Sequence, residues 1–185
     1  MVIMPRMSNR IENEELIHKS YLFEVHRLQL RTDGGDIIHR DVVRHPGAAL
    51  VLPVLPDGSI VMIRNYRYAA NGYLWELPCG TLDNGEDPLD CAVRELKEET
   101  GFTTSKIKQL AKTFSCPGYA DEIVYSYLAT ELTRGQQELE AYEDITVEIM
   151  SDEKVRRMVA DNEITDAKSI AALSVYWLQN NDSRM

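Results

Sequence analysis

Apolar and polar positions divide the chain into strand-like and helix-like stretches. Tyr21-Leu22-Phe23-Glu24-Val25 leads into Leu28 and Leu30, a turn follows at Asp33-Gly34-Gly35-Asp36, and Ile37-Ile38 and Val42-Val43 come after it. Apolar stretches on either side of a glycine-rich turn predict an antiparallel hairpin within residues 20–44. A second hairpin is expected from residues 48–55 and 59–66, which are rich in β-branched residues and flank Pro56-Asp57-Gly58. The period then becomes helical. Leu89, Ala92, Val93 and Leu96 fall at i, i+3, i+4 and i+7 within residues 88–100, which predicts one apolar stripe. Asp87 suits the N-cap, Pro88 the first turn and Gly101 the residue just past the end. Strands are expected at residues 106–115, 122–130 and 145–150, and helices at 152–161 and 166–179. Strands, helix, strands, helices is a mixed α+β order and not a strict βαβ alternation.

Composition narrows the function. The 185 residues are 44% hydrophobic and 27% charged, which is ordinary for a globular domain. No stretch approaches the roughly 18 uncharged apolar residues of a membrane span, and residues 1–10 do not read as a signal peptide. Cys79, Cys91 and Cys116 are too few and too irregularly spaced for a disulfide framework or a zinc site, so a reducing cytoplasm is expected. His26, His39 and His45 show no metal-ligand spacing and are read as structural. A net charge of −10 speaks against binding nucleic-acid polymers, but not against a small phosphate ester brought in by metal ions.

The chemistry concentrates between Gly80 and Phe102. Glu95, Glu98 and Glu99 stand at i, i+3 and i+4 on the helix, opposite or beside the apolar stripe, and Lys97 lies off that face. Like charges at these spacings cost only about a few tenths of a kcal/mol per pair in water, so they do not exclude a solvated acidic face, which is the plainer reading of these residues taken alone. Mg²⁺ gives the other reading, since it takes hard oxygen ligands and keeps positions open for phosphate. Glu86 precedes the helix, and Arg94 is placed to brace Glu86 and Glu98 by bidentate pairing.

Gly80, five residues, Glu86, seven residues, then Arg94-Glu95-Leu96-Lys97-Glu98-Glu99-Thr100-Gly101-Phe102 resembles a complete Nudix box. The resemblance implies an α/β/α sandwich with a mixed central sheet and hydrolysis of a nucleoside diphosphate linked to another group. It implies two or three Mg²⁺, with Mn²⁺ as a substitute, held by Glu95 and Glu99, by Glu98, and by the backbone carbonyl of Cys79.

Further segments resemble the branch acting on ADP-ribose and nucleoside diphosphate sugars: Arg44-His45-Pro46-Gly47-Ala48, Asn65-Tyr66-Arg67-Tyr68, Trp75-Glu76-Leu77-Pro78, Glu143-Asp144-Ile145 and Asp166-Ala167-Lys168. Pro117 falls 16 residues beyond Gly101, about where that branch carries a proline. On this likeness a loop glutamate serves as general base or completes the metal site, Glu143 being favoured, with Glu140 in reserve and Glu138 a third candidate. Arg67 would contact the diphosphate or its terminal ribose. Arg44, Glu76, Pro117 and Glu122 are the other substrate-binding candidates, and Tyr21, Phe23 and Tyr68 either stack on adenine or belong to the core. Residues 1–45 resemble a hairpin segment exchanged between subunits, which implies a homodimer, with residues 46–185 as the Nudix domain. A triphosphate or dinucleotide pyrophosphohydrolase and a non-catalytic ADP-ribose-binding regulator are the alternative readings.

Overall fold

The computed structural model describes residues 10–141 and 143–181. The chain divides into two compact units, one of residues up to 46 joined by 116–122, the other of residues 47–115 and 123 onward.

The N-terminal unit is an antiparallel sheet of three strands, β1 (Ile11–Lys19), β2 (Glu24–Arg31) and β3 (Ile37–Arg44), in the order β1-β2-β3. The predicted hairpin is β2–β3, with Arg27 opposite Asp41 and a bidentate pair at 2.8 Å on both arms. Strand β1 was not expected. Its sequence, IENEELIHK, is exposed at every position, so it carries no alternation to read, and pairing with β2 alone makes it a strand. Tyr21 and Phe23, expected in a strand, lie in the β1–β2 turn, which Ser20 closes by accepting from the backbone N–H groups of Leu22 and Phe23. Residues 116–122 join this sheet through Val43, whose N–H donates to the Tyr119 carbonyl at 2.7 Å.

The second unit has two sheets and three helices. One sheet has the order β7-β4-β9-β8, formed by β4 (Ala48–Pro53), β7 (Cys79–Thr81), β8 (Phe102–Phe114) and β9 (Ile123–Arg134). It is mixed, because β4 runs parallel to β9 while the other pairs are antiparallel. The other sheet is antiparallel, with β5 (Ile60–Arg67) between β10 (Ile145–Met150) and β6 (Gly72–Glu76). The second hairpin expected from sequence is therefore corrected. Its turn forms, but β4 and β5 share one bridge, Val54–Ile60, and then enter different sheets. The reason is that both edges of β4 are already taken by β7 and β9.

Every residue of β4 is buried, and alternate side chains serve opposite layers. Leu50 and Leu52 pack with Val155 and Met158 of α2 (Asp152–Ala160) and with Ala172 and Leu173 of α3 (Ala167–Asn181). Ala49 and Val51 pack with Cys91, Ala92 and Leu96 of α1 (Pro88–Thr100). This unit is the expected α/β/α sandwich, and truncating Leu50 or Leu52 to Ala would cost about 2–5 kcal/mol. Among the described residues no helix is long and apolar enough to cross a membrane.

Helix α1 begins and ends as its sequence predicts. The Asp87 side chain accepts from the Leu89 N–H at 2.8 Å, Pro88 opens the first turn, and Gly101 closes the helix at φ 74°. Residues 135–138 then dock on that end. Gly135 N–H donates to the Gly101 carbonyl, Gln137 Nε2 to that of Glu99, and Glu138 N–H to that of Glu98. A Cβ on Gly101 would meet the backbone of Gln136 and Gln137 at 2.8–2.9 Å. Gly101→Ala is expected to cost about 2 kcal/mol or more, the left-handed conformation alone accounting for about 1–2. Urea unfolding checks it, and an unchanged midpoint would contradict the docking described.

Candidate active site

The apolar stripe read along α1 is only partly the buried one. Leu89 and Val93 are 38% and 40% exposed, whereas Glu95 and Glu99 are 8% and 3% exposed beside Ala92 and Leu96. Two of the three helix carboxylates therefore face inward. Strand β7 passes directly over them. The Glu95 carboxylate fills the space that a Cβ on Gly80 would need, so residue 80 has no room for a side chain. The Cys79 N–H donates to Glu99 Oε2 at 2.7 Å.

Arg94 organises the polar edge. Nε and Nη2 fork onto Glu86 at 2.9 and 3.0 Å, and Nη1 reaches Glu98 at 3.0 Å and Glu95 at 2.5 Å. Glu86 is placed for this by a turn in which Asp83 N–H donates to its Oε2 at 2.9 Å. The hydrogen bonds from Arg94 hold the Glu86 carboxyl down at about 2. Burial acts the other way on the inner pair. Glu95 is pushed up to about 7 by desolvation, with the Glu98 and Glu143 charges adding and Arg94 opposing. Glu99 is pushed up to about 8 by burial and then by the Glu95 charge, against the Cys79 N–H.

Glu143 closes a turn on Glu140, accepting from its N–H at 2.9 Å and donating its own N–H to the Glu140 carbonyl at 3.0 Å. Its charge raises both Glu95 and Glu99, so its carboxylate stands within electrostatic reach of the inner pair. The loop is tethered beside it, since Tyr73 donates to the Asp144 carboxylate and Tyr66 N–H to the Asp144 carbonyl. Glu138 is occupied elsewhere, paired with Lys97 at 2.8 Å.

Arg67 and Glu76 meet across β5 and β6 as a bidentate pair at 2.8 and 2.7 Å. Glu76 is fully buried, while the Arg67 side chain is 39% exposed. Burial alone would raise Glu76, but Arg67 and Lys168 outweigh it and hold the carboxyl below its ordinary value. Lys168, Asp166 and Ser169, at the start of α3, complete this cluster. Asp166-Ala167-Lys168 was noted in the sequence without a role. The only local signal was an Asp three residues ahead of Ser169, and the partners on β6 are 92 residues away.

The remaining candidates, Tyr68 of the second unit apart, lie in the N-terminal unit. Arg44 pairs with Glu14 and Asp121, both at 3.0 Å, and Glu122 lies 3.6 Å from His45 Nδ1. Pro117 is exposed. Tyr21 is fully exposed and Tyr68 is 81% exposed, so neither is a core residue.

The donor set suits a hard divalent cation, with two buried carboxyls, Glu95 and Glu99, the Glu143 charge acting on both and that of Glu98 on Glu95. Among the described residues no three acidic, His or Cys side chains surround a common point. The Arg94 guanidinium stands between Glu95 and Glu98, so a cation here would take over the contact Arg94 makes with Glu95.

An acidic helix under a glycine-bearing strand, mounted on an α/β/α sandwich, defines a family, and the NUDIX domain model matches residues 43–173. The chain belongs to the NUDIX domain family, whose hydrolases generally depend on divalent metal. It is 34% identical to an ADP-ribose pyrophosphatase of Bacillus subtilis (strain 168) over 95% of both chains. It is also 34% identical to a GDP-mannose pyrophosphatase of Yersinia pestis (strain Pestoides F), over 90% of this chain and 91% of that one. A solved structure of an ADP compounds hydrolase superposes with a TM-score of 0.78 at 25% identity, covering 92% of this chain and 94% of the other.

Proposed function

We propose that this protein hydrolyses the diphosphate of ADP-ribose or a related nucleoside diphosphate sugar, giving a nucleoside monophosphate and a sugar phosphate. The observation that carries the reading is the buried pair Glu95–Glu99 beneath β7, Glu95 against Gly80 and Glu99 accepting from the Cys79 N–H. Two or three Mg²⁺, or Mn²⁺ in their place, would be held by Glu95, Glu99, Glu98 and the Cys79 carbonyl. Bound there, such ions would supply the charge that neutralises the diphosphate and would lower the pKa of water. Glu143 accepts the proton of the attacking water. Arg94 keeps Glu86 and Glu98 in place. Arg67 grips the diphosphate with a guanidinium fork suited to phosphate oxygens, and Glu76 acts through it. Arg44, Pro117 and Glu122 are assigned to substrate contacts.

We assign residues 1–45 to a segment exchanged in a homodimer. Exposed Ile11, Leu16 and Ile17 on edge strand β1 support this. Sedimentation equilibrium is expected to give twice the chain mass, and a monomer at micromolar concentration would refute it. Three free cysteines, two of them buried, suit a reducing cytoplasm.

The substrate reading is tested with Mg²⁺ and ADP-ribose, ADP-glucose, GDP-mannose, diadenosine polyphosphates and 8-oxo-dGTP, with products separated by chromatography. AMP and ribose 5-phosphate from ADP-ribose are expected. Cleavage confined to triphosphates would replace this substrate class with another, and tight binding of ADP-ribose without any cleavage would make the protein a regulator.

A further inference from the structure

We propose that Lys168 is a positioning residue, which clamps Glu76 from the first turn of α3 so that Arg67 meets the substrate in one fixed orientation. The proposal rests on Arg67 as the diphosphate contact given above. Its observation is a closed ring of hydrogen bonds. Lys168 Nζ donates to Glu76 Oε2 at 3.0 Å and to Asp166 Oδ1 at 2.6 Å. Asp166 Oδ2 accepts from the Ser169 hydroxyl at 2.6 Å and from the Ser169 N–H at 3.0 Å. The Ser169 hydroxyl oxygen accepts from the Leu77 N–H at 2.7 Å. Leu77 follows Glu76, so the ring returns to the residue at which it began.

The ring is more than Glu76 needs for neutralisation, because the Arg67 fork already bonds both carboxylate oxygens. A second largely buried ion pair adds desolvation cost and is weak evidence for stability in itself. What it adds is geometry. With Nε and Nη2 of Arg67 committed to Glu76, the guanidinium plane follows the carboxylate plane, and that plane is fixed from behind by Lys168. Nη1 is left for phosphate. Two cations balance two carboxylates. Without Lys168, Glu76 loses the donor that holds its Oε2 from the α3 side, and the carboxylate plane that orients Arg67 is held from one side only.

Lys168→Met keeps the length of the stem and removes the charge. The expected result is a fall in kcat/KM for ADP-ribose of about 10- to 100-fold, mostly in KM, as misplacement of a binding group produces. In the Arg67→Met background the same change should cost less than about threefold, because the residue acts through Arg67. A readout independent of turnover is the Arg67 Nε–H resonance, assigned by its disappearance in Arg67→Met. It should be sharp and protected in the wild type, and broadened or shifted in Lys168→Met. Equal kinetic losses in both backgrounds, or an unchanged Nε–H resonance, would overturn the proposal. If Lys168→Met does not fold, Asp166→Asn removes the other anchor and is read the same way. A wild type that does not cleave ADP-ribose would refute the substrate reading instead, and the resonance would still decide whether Lys168 fixes Arg67.

Discussion

Glu99→Gln is expected to lower kcat by about 10³-fold and to leave the metal-free chain at least as stable as the wild type. Both halves follow from burial. The Glu99 carboxyl is 3% exposed and pushed up to about 8, so near neutral pH the metal-free fold already carries it largely protonated. Glutamine has the same shape, is neutral like the protonated acid, and keeps an acceptor for the Cys79 N–H at 2.7 Å. What it cannot supply is an anionic oxygen for a cation. Initial rates at saturating ADP-ribose, with urea unfolding in EDTA, check the two halves. Near-normal turnover would remove Glu99 from the metal set. A large loss of stability with unchanged turnover would make it a structural residue.

Stability of the metal-free protein should fall as pH rises from about 5 to 8, and added Mg²⁺ should restore it increasingly over that range. Glu95 and Glu99 sit at about 7 and about 8 in the fold, against about 4.3 when unfolded. The folded state therefore holds protons that the unfolded state has released. Their stabilising effect is complete below about pH 4 and is lost as pH passes through 7 and 8. The total is on the order of a few kcal/mol, shared by two groups that titrate together. Glu86 works in the opposite sense. Held at about 2, it favours the fold above about pH 4.3 and loses that effect as the pH falls towards 2. A cation competes with the two protons, so its stabilisation grows where they are most easily removed. Calorimetric Tm values across this range, in EDTA and in Mg²⁺, measure both slopes. Flat, parallel profiles would contradict the buried acidic pair.

Much of this architecture was legible locally. Asp87, Pro88 and Gly101 delimit α1 because capping is decided within a few residues. Glu86, Arg94, Glu95, Glu98 and Glu99 pointed to a candidate site through their likeness to a Nudix box, which is readable because one helix and its leading loop carry all five. Long-range pairing was much less legible. The separation of β4 from β5 depends on β7 and β9 occupying both edges of β4, and β1 exists only through its partner strand. Hydrophobicity also misled along α1, since Leu89 and Val93 face outward while Glu95 and Glu99 are buried. Carboxylates beneath a strand defy the apolar-inside rule, and functional sites are where that rule is expected to fail. The Lys168 ring joins residues far apart in the chain and leaves almost no local trace.

The parallel pairing of β4 with β9 also sets when this fold can assemble on the ribosome. Ala48 lies opposite Val124, so the middle of the main sheet waits for about 75 residues of chain, including all of α1. At roughly 5–20 residues per second, that wait is about 4–15 s, far longer than closing such a loop takes. During it β4, with no charged side chain from Ala48 to Pro53, gains only β7 as an edge partner, and only once residues 79–81 have been made. Elongation rate, more than the intrinsic speed of folding, then governs how long this strand is open to chaperones or to association with other nascent chains.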